Sequence, residues 1–215
     1  MTPLYSQNKF LIILIAPSGG GKSTIAKEIV KSNPDIDYSI SYTTRKPRGD
    51  EQHGKDYFFV SENEFQTMKN KDEFLEYACV HDNWYGTSRK FIEKTIEKGH
   101  YVMLDIDVEG AKQIMSQSID AVTIFIIPPS ISVLEKRLIT RGTDNQEVIR
   151  RRLKNAKQEV SNVHHFQYLV INDDLGDAIE DVKRIIMVES AKIKRFEKIK
   201  EKFIGGYFEC KSGNC

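Results

Sequence analysis

Cysteine, long apolar runs and an excess of charge of one sign are all scarce in this chain. Its 215 residues include only Cys79, Cys210 and Cys215, and an odd, sparse set of this kind does not build a disulfide framework. We therefore expect a reducing compartment, with the last two cysteines in a frayed polar end rather than in a metal or redox site. The formal net charge of +1 argues against binding of nucleic acid through overall charge.

The longest apolar run, residues 10–16, is too short to cross a bilayer. A signal peptide would need a basic start and a small-residue cleavage site, but Lys9 is the only basic residue before the run and a glycine-lysine loop follows it. We interpret the run as a buried strand and expect a cytoplasmic protein without a membrane partner.

Short apolar runs alternate with helical patterns, which is typical of βαβ units around a parallel sheet. Such continuous apolar strands usually have helices on both faces, so an α/β fold is predicted. In the charged segment 175–203, apolar residues recur at helical spacing and predict one long helix whose stripe packs on the core. The predicted strands are 10–16, 101–106, 122–127 and 169–171.

The stretch APSGGGKST follows the first predicted strand and contains three consecutive glycines. Glycine is costly to order, so this repetition indicates close approach of the backbone to a ligand. At the start of a helix, free N–H groups and the helix dipole favour an anion. Lys22 can reach terminal phosphate oxygens, and the Ser23 hydroxyl can bind Mg²⁺. The stretch is a P-loop, and its predicted triphosphate-binding residues are Ala16, Pro17, Ser18, Gly19, Gly20, Gly21, Lys22, Ser23 and Thr24.

One position departs from the usual P-loop pattern, because Ala16 replaces the first glycine. Alanine can turn the chain out of a strand if its φ stays negative, so the phosphate-binding part of the loop is intact. The alternative is a glycine-rich turn before a helix, with Ser23 and Thr24 near the helix start.

A basic stretch at residues 39–59 contains Arg45, Lys46 and Arg48 around Pro47, which forces an extended chain. Arginines on a stiff segment suit a bidentate grip on phosphate, and Tyr57 adds a phenol that can complete such a site. The alternative is a solvated basic turn.

Two aspartates follow the apolar part of the strand predicted at 101–106. Asp105 and Asp107 alternate with Ile106, so both acids lie on one face at the carboxyl end of the sheet, where open parallel sheets bind ligands. With a P-loop upstream, we predict metal and substrate roles for them. They could also cap the helix that begins near Val108.

The segment 128–153 is strongly basic, and Arg137 and Arg141 share a helix face because they lie four residues apart. A glycine turn follows and breaks the helix. Arginines over a transferring phosphoryl group stabilise its charge and can raise the rate by ~10³–10⁵. We predict a helical lid that also excludes water; the alternative is a solvated helix face.

Five stretches together resemble the guanylate kinase family, and they follow the family's order from about residue 11 to residue 186. They are SYTTRKPRGDEQHGKDYFFV, FLEYACVHDNWYGTS, VMLDIDVEGAKQI, PPSISVLEKRLITRGTDNQEVIRRRL and VINDD. The resemblance implies a P-loop NTPase-like core, with a parallel sheet flanked by helices, plus a GMP-binding insertion and a helical lid. The implied activity is Mg²⁺-assisted, in-line transfer of the γ-phosphoryl group from ATP to GMP, and also to dGMP.

The resemblance also implies roles for single residues. It places Asn172 with the P-loop on the ATP side, and Ser23 and Asp105, through water, at the metal. The residues implied to bind GMP are Ser41, Arg45, Arg48, Tyr57, Glu76, Tyr85, Thr87 and Asp107. The residues implied to be catalytic are Lys22, Arg45, Asp105, Arg137, Arg141 and Arg152.

The chemistry of guanine agrees with the implied base site. Guanine presents two donors on one edge, N1–H and an amine, and a carboxylate such as Glu76 can accept both. Hydroxyls such as those of Ser41 and Thr87 can donate to the O6 carbonyl. Taken alone, Glu76 would be interpreted as a solvent-facing acid.

The implied units are a core of residues 1–37, 97–128 and 160–215, a GMP-binding domain of residues 38–96 and a lid of residues 129–159. The alternatives are a kinase for another nucleoside monophosphate, a catalytically inactive guanylate-kinase-like module that binds phosphopeptides, and a triphosphate hydrolase or switch. The expected ligands are ATP and GMP, without nucleic acid. The charged terminal segment leaves a homodimer open.

Overall fold

The computed structural model describes residues 7–80, 82–140, 145–196 and 199. The strands in this part of the chain are β1 (Leu11–Ile15), β2 (Ile36–Tyr38), β3 (Tyr42–Thr43), β4 (Phe58–Phe59), β5 (Phe74–Val80), β6 (Asn83–Ser88), β7 (Tyr101–Asp105), β8 (Ala121–Ile127) and β9 (Tyr168–Ile171). The helices are α1 (Lys22–Ser32), α2 (Glu62–Asn70), α3 (Arg89–Glu97), α4 (Val108–Met115), α5 (Ile131–Thr140), α6 (Gln146–Val160) and α7 (Leu175–Ser190).

Five strands form a parallel sheet in the order β2-β7-β1-β8-β9. The central strand, β1, pairs with β7 on one side and with β8 on the other, and all its residues are buried. Full burial of a parallel strand requires helices on both faces of the sheet. The predicted α/β class, with a parallel sheet flanked by helices, is therefore confirmed.

Residues of β1 divide alternately between two apolar clusters, because successive side chains of a strand point to opposite faces. Ile12 and Leu14 belong to a cluster that includes residues of α1 and α7. Leu11, Ile13 and Ile15 belong to the opposite cluster, which includes residues of α3 and α4. The two clusters fix the carboxyl ends of β1 and β7 side by side.

A second sheet lies within the segment predicted to be the GMP-binding insertion. Its strand order is β4-β3-β6-β5, with β6 antiparallel to both of its neighbours. Phe65 of α2 is fully buried and stacks on Phe74 of β5 with ring centroids 4.5 Å apart, so the helix is held on this sheet by aromatic packing.

The segment predicted as a lid contains α5 and α6. The Asn145 side chain accepts a hydrogen bond from the amide of Val148 and caps the start of α6. The two helices share a small apolar cluster of their own, formed by Leu134, Leu138, Ile149 and Ala156. The boundaries of core, insertion and lid remain predictions.

The helix predicted over residues 175–203 is too long. Helix α7 ends at Ser190, and Lys192 has an extended backbone with φ −64° and ψ 135°. Arg195 then donates from Nε to the Glu189 carbonyl oxygen at 2.8 Å, and its guanidinium pairs with the carboxylates of Glu189 and Asp120. Burial of this ion cluster turns the chain away from the helical path, so tertiary contacts override local helical spacing.

The remaining predictions of elements agree with the structure. The four predicted strands correspond to β1, β7, β8 and β9, with ends that differ by no more than one residue. Val182 and Ile186 of α7 are buried in the core, as the stripe predicts. Among the described helices, none has the length and apolar character of a membrane span. Cys79 is exposed and free, and residues 210 and 215 lie outside the described part of the chain.

Candidate nucleotide-binding site

The loop between β1 and α1 has a conformation that requires glycine at two positions. Gly19 and Gly21 have φ of +93° and +92°, in the left-handed region. The Gly20 amide donates to the Pro17 carbonyl at 2.8 Å, and Ala16 does not have a positive φ, as the sequence requires. Gly21 precedes α1 without any side-chain cap, so the first amides of this helix stay available to an anion.

Asn172, directly after β9, holds this loop through a hydrogen bond. Its side-chain Nδ2 donates to the Gly20 carbonyl at 2.8 Å, and its backbone N–H donates to the Ile127 carbonyl at 2.7 Å. A methyl group at Gly21 would lie 2.3 Å from Nδ2 of Asn172. Arg137 of α5 donates to the carbonyl oxygen of Asn172 at 2.9 Å. Asn172 is only 4% exposed, and its side chain holds the loop in place.

Lys22, the first residue of α1, reaches the carboxyl end of β7. Its Nζ lies 2.9 Å from Oδ1 of Asp105 and donates to the Ile106 carbonyl at 2.6 Å. The Tyr38 hydroxyl donates to Oδ2 of Asp105 at 3.4 Å. Burial, followed by the charge of Asp105, raises the pKa of Tyr38 far above its usual range, so this phenol remains a donor. The lysine and the aspartate therefore meet beside the P-loop in a fixed geometry.

Arg45 in the basic stretch is buried, and its charge requires a partner. Its Nη2 lies 3.0 Å from both carboxylate oxygens of Glu51, and the Glu51 Oε2 atom also accepts from the Arg48 amide at 2.8 Å. The guanidinium carbon lies 5.2 Å from the centroid of the Tyr57 ring. Glu51 thus folds this stretch into a rigid turn, and the alternative of a solvated basic turn does not describe Arg45.

Glu76 of β5 lies directly opposite Thr87 of β6 in the antiparallel pair. The Thr87 hydroxyl donates to Oε1 of Glu76 at 2.5 Å, and both residues are buried. Gly110 of α4 permits this placement, because a methyl group there would lie 2.3 Å from Oε2 of Glu76. Asp107 caps α4 by accepting from the Gly110 amide at 2.9 Å. Glu76 is therefore not a solvent-facing acid, whereas Asp107 does cap the following helix.

The environment of Glu76 disfavours its charged form. Burial raises the pKa of Glu76 to about 7, and the charge of Asp107 acts in the same direction. The hydrogen bond from Thr87 and the charge of Lys22 act in the opposite direction. A ligand that donates two hydrogen bonds to this carboxyl group would stabilise its charged form.

This raised pKa predicts how stability depends on pH. The folded protein keeps the Glu76 proton between pH values of about 4.5 and about 7, whereas the unfolded chain releases it. Free energy of unfolding should therefore fall as pH rises through this window, by an amount on the order of 3 kcal/mol from Glu76. Urea unfolding of the wild type and of Glu76→Gln across this window measures the effect, because other titrating groups cancel in the difference. Parallel pH profiles for the two proteins would contradict the assigned burial.

The sequence profile described as guanylate kinase matches residues 8–189 of the chain. The chain belongs to the guanylate kinase family. The guanylate kinase of Nitrosomonas europaea is 46% identical over 185 residues, which cover 86% of this chain and 92% of that relative. The guanylate kinase of Caldanaerobacter subterraneus subsp. tengcongensis is 44% identical over 185 residues, which cover 86% of this chain and 90% of that relative.

A solved guanylate kinase has the same overall fold. The crystal structure of guanylate kinase from Anaplasma phagocytophilum superposes with a TM-score of 0.79 at 32% identity, over 92% of this chain and 94% of that chain. The parallel sheet and its flanking helices therefore match the architecture of a solved guanylate kinase as well as the family's sequence.

One cavity of about 640 Å³ brings most of the predicted site residues together. Those that line it are Ala16, Pro17, Ser18, Gly19, Gly20, Gly21, Lys22, Ser23, Thr24, Ser41, Arg48, Tyr57, Glu76, Tyr85, Asp105, Asp107 and Arg152. Those that do not line it are Arg45, Thr87, Arg137 and Asn172, which contact wall residues or their supports. Arg141 lies outside the described residues.

Four residues that the sequence analysis did not single out have clear places around this cavity. Glu51 organises the basic stretch, Tyr38 contacts Asp105, and Gly110 makes room for Glu76. Glu159 of α6 lines the cavity itself. Only Glu51 had a local signal, as an acid three residues after Arg48, since the other contacts join residues that are distant in sequence.

Proposed function

We propose that this protein transfers the γ-phosphoryl group of ATP to GMP, giving ADP and GDP. The observation that carries the proposal is that a P-loop and the buried Glu76, held from behind by the hydroxyl of Thr87, line one cavity. A P-loop supplies the triphosphate site. The buried carboxylate of Glu76 can accept both donors on the edge of guanine, and the hydroxyl of Ser41 in the same cavity can donate to O6.

The ATP side is assigned to residues 16–24, with Asn172 as the support of the loop. Backbone amides at the start of α1 bind the phosphates, where the helix dipole adds to their attraction. In this structure Lys22 forms an ion pair with Asp105 and donates a hydrogen bond to the Ile106 carbonyl. We propose that its side chain turns to the terminal phosphates when ATP binds. The contact of Asn172 with the adenine or ribose edge remains a prediction.

The donors near the P-loop fit Mg²⁺. Ser23 offers a hydroxyl oxygen and Asp105 a carboxylate, and oxygen ligands are those that Mg²⁺ prefers. The described residues contain no group of three or more His, Cys, Asp or Glu side chains that could hold a metal ion. This suits an ion bound mostly by phosphates and water, with Asp105 acting through water. When bound, Mg²⁺ would neutralise charge on the phosphates.

The GMP side is assigned to the second sheet and the basic stretch. Ser41, Arg48, Tyr57 and Tyr85 line the cavity, and Arg45 is held behind it by Glu51. We propose that these groups hold the GMP phosphate. Glu76 accepts the N1–H and amine donors of guanine, Thr87 positions Glu76 by donating its hydroxyl proton to it, and Asp107 completes the base site.

The lid is proposed to supply arginines to the transferring group. Arg152 lines the cavity, whereas Arg137 donates to the carbonyl oxygens of Asn172 and Asp173 at 2.9 and 3.2 Å in this structure. A role for Arg137 at the phosphates therefore requires these bonds to break. Arg141, which lies outside the described residues, is assigned with them from the resemblance and from its spacing of four residues to Arg137.

The proposed transfer needs neither a covalent intermediate nor a side-chain base, because the GMP phosphate is already an anionic nucleophile. The protein's task is to hold two anions that repel each other in line, and to stabilise the charge of the transferring group. Acceptance of dGMP, a cytoplasmic location and a homodimer belong to the same proposal as further expectations.

Replacing Glu76 by glutamine tests the base site. The amide turns one of two acceptors into a donor, which then faces a donor of guanine, at a cost on the order of 1–3 kcal/mol. We expect kcat/KM for GMP to fall about 10–100-fold, with a smaller change for AMP. A coupled assay of ADP release with GMP, AMP, CMP and UMP measures both the activity and its selectivity.

Glu73→Gln is the matched control, because Glu73 lies three residues earlier in the chain and is exposed. Unchanged activity and selectivity in Glu76→Gln would overturn the base-site assignment alone. Absence of GMP-dependent ADP release from the wild type would overturn the proposed function and favour the phosphopeptide-binding module. The relatives compared above all bear the name guanylate kinase, and none is described as a binding module.

A further inference from the structure

The second sheet meets the core where the outer edge of β5 faces α4. In the order β4-β3-β6-β5, β5 is the last strand, so its outer edge has no neighbouring strand among the described residues. The register against β6 also shifts between Phe74 and Glu76. A shift in register disrupts the ladder locally, and an edge lacks half of its ladder partners. Glu76, the residue proposed to bind guanine, lies at this point and needs support from outside the sheet.

Gln113 of α4 takes the place of a neighbouring strand at this edge. Its Oε1 accepts a hydrogen bond from the Tyr77 amide at 3.2 Å, and its Nε2 donates to the Tyr77 carbonyl at 2.7 Å. These two bonds reproduce the exchange that joins a hydrogen-bonded pair in an antiparallel ladder. Both polar groups of the side chain are used on one backbone unit, which fixes the residue directly after Glu76.

Gln117, in the turn after α4, fixes the residue directly before Glu76. Its Nε2 donates to the Leu75 carbonyl at 2.9 Å and to the Gln113 carbonyl at 3.2 Å. Backbone groups on both sides of Glu76 are therefore bonded to the same segment of the core. The position of Glu76 thus depends on α4 as well as on β6.

Helix α4 also contacts the Glu76 carboxylate itself. A methyl group at Gly110 would lie 2.3 Å from Oε2 of Glu76, so the carboxylate closely approaches the helix backbone. Gly110 and Gln113 are three residues apart and share a face of the helix. The face that holds the β5 backbone is therefore the one against which the carboxylate packs. A shift of β5 along α4 would move the carboxylate relative to the cavity.

We propose that Gln113 is a positioning residue for guanine, because its bonds to Tyr77 set how far the Glu76 carboxylate reaches into the cavity. The part of this inference that concerns guanine rests on the proposed function. Glu76 is assigned to the base and not to the transferring phosphate. Its displacement should therefore weaken GMP binding and leave the rate at saturating GMP nearly unchanged.

Gln113→Met tests this inference, because methionine has a similar length but no amide that can donate and accept. We expect KM for GMP to rise about tenfold, kcat to stay within about threefold, and kcat/KM for AMP to change less than about twofold. In a Glu76→Gln background, Gln113→Met should lower the preference for GMP over AMP less than about twofold further. Multiplicative losses in the double variant would show that Gln113 does not act through Glu76, and would overturn the inference.

Lys112→Met is the matched control, because Lys112 is the adjacent residue of α4 and pairs with Glu109 on the exposed surface at 3.1 Å. It should keep the wild-type KM for GMP. A rise equal to that in Gln113→Met would point to a general effect on α4 and overturn the inference.

Gln113→Glu is a milder variant that serves if Gln113→Met does not fold. It keeps an acceptor for the Tyr77 amide and, when ionised, loses the donor to the Tyr77 carbonyl. We expect KM for GMP to rise about threefold, with kcat nearly unchanged. Wild-type selectivity in Gln113→Glu would contradict the inference.

An NMR titration of the Glu76 carboxyl in the nucleotide-free protein separates this inference from the proposed function. The signal is assigned by its absence from Glu76→Gln. Burial raises the pKa of Glu76 to about 7, and a carboxyl group that loses its fixed place gains access to water. The pKa should therefore fall toward its usual range in Gln113→Met.

The two outcomes of this titration have different consequences. An unchanged titration in Gln113→Met would refute positioning by Gln113, whether or not the protein phosphorylates GMP. A lowered pKa in Gln113→Met, together with a wild type that shows no turnover, would support the positioning and refute only the function.

Discussion

Replacing Gly21 by alanine is expected to lower kcat/KM at least about 100-fold. The new methyl group would lie 2.3 Å from Nδ2 of Asn172, and the backbone φ of +92° is strained for any residue with a Cβ. Relief of this contact would move either the loop or Asn172, which holds the Gly20 carbonyl and accepts from Arg137. Both movements displace the amides proposed to bind phosphate. Steady-state kinetics with ATP and GMP would measure the loss.

Gly99→Ala is the matched control for this variant. Gly99 also has a positive φ, +82°, but nothing lies within 4 Å of an added methyl group. It should lose about 1–2 kcal/mol of stability from backbone strain and keep its turnover. If Gly21→Ala retained the kinetics of Gly99→Ala, the contact with Asn172 would not constrain the loop.

Replacing Arg195 by methionine should have the largest effect on stability. Arg195 is 1% exposed, pairs with Glu189 at 3.1 Å and with Asp120, and stacks its guanidinium 3.7 Å from the centroid of Phe10. Methionine keeps part of the apolar contact but leaves the buried Glu189 carboxylate without this partner. Removing one partner of a buried pair typically costs about 3–5 kcal/mol. The midpoint of thermal unfolding should fall by roughly 10 °C.

Arg184→Met provides the comparison, because Arg184 pairs with Asp181 at 2.7 Å on the exposed side of α7. An exposed pair of this kind contributes about 0–1 kcal/mol. Differential scanning calorimetry of both variants at one pH would measure the difference. Equal shifts would mean that the Arg195 cluster does not anchor the segment after α7.

The sequence predicted those elements whose pattern is contained in their own residues, and it missed those that depend on contacts with distant residues. The strands β1, β7 and β8 are buried on both faces, so each appears as a continuous apolar run. The edge strand β9 exposes Leu169 and Ile171, but its sequence is apolar as well. The strand β2 has only three residues, and β3 and β4 have two each, so no periodic pattern identifies them. The end of α7 was missed because Arg195 is paired with Asp120, a residue 75 positions away.

The candidate site shows the same division. The P-loop was predicted from residues 16–24 because its geometry depends mainly on its own glycines. The support from Asn172 joins residues 152 positions apart, and no local pattern reports it. Glu76 alone resembles a surface acid, and only the register of β5 against β6 buries it against Thr87. The resemblance to the guanylate kinase family identified Glu76 as a site residue, whereas the chemistry of its carboxylate explained why it suits guanine.

The small size of the α5–α6 cluster has a consequence for local unfolding. Four buried residues hold these helices together, whereas the clusters on the two faces of the sheet are much larger. Amides of α6 should therefore exchange through a sub-global opening, at a denaturant concentration where β1 amides still require complete unfolding. A substitution confined to Leu138 or Ile149 could then alter turnover while a melting curve, which reports the sheet, barely moves.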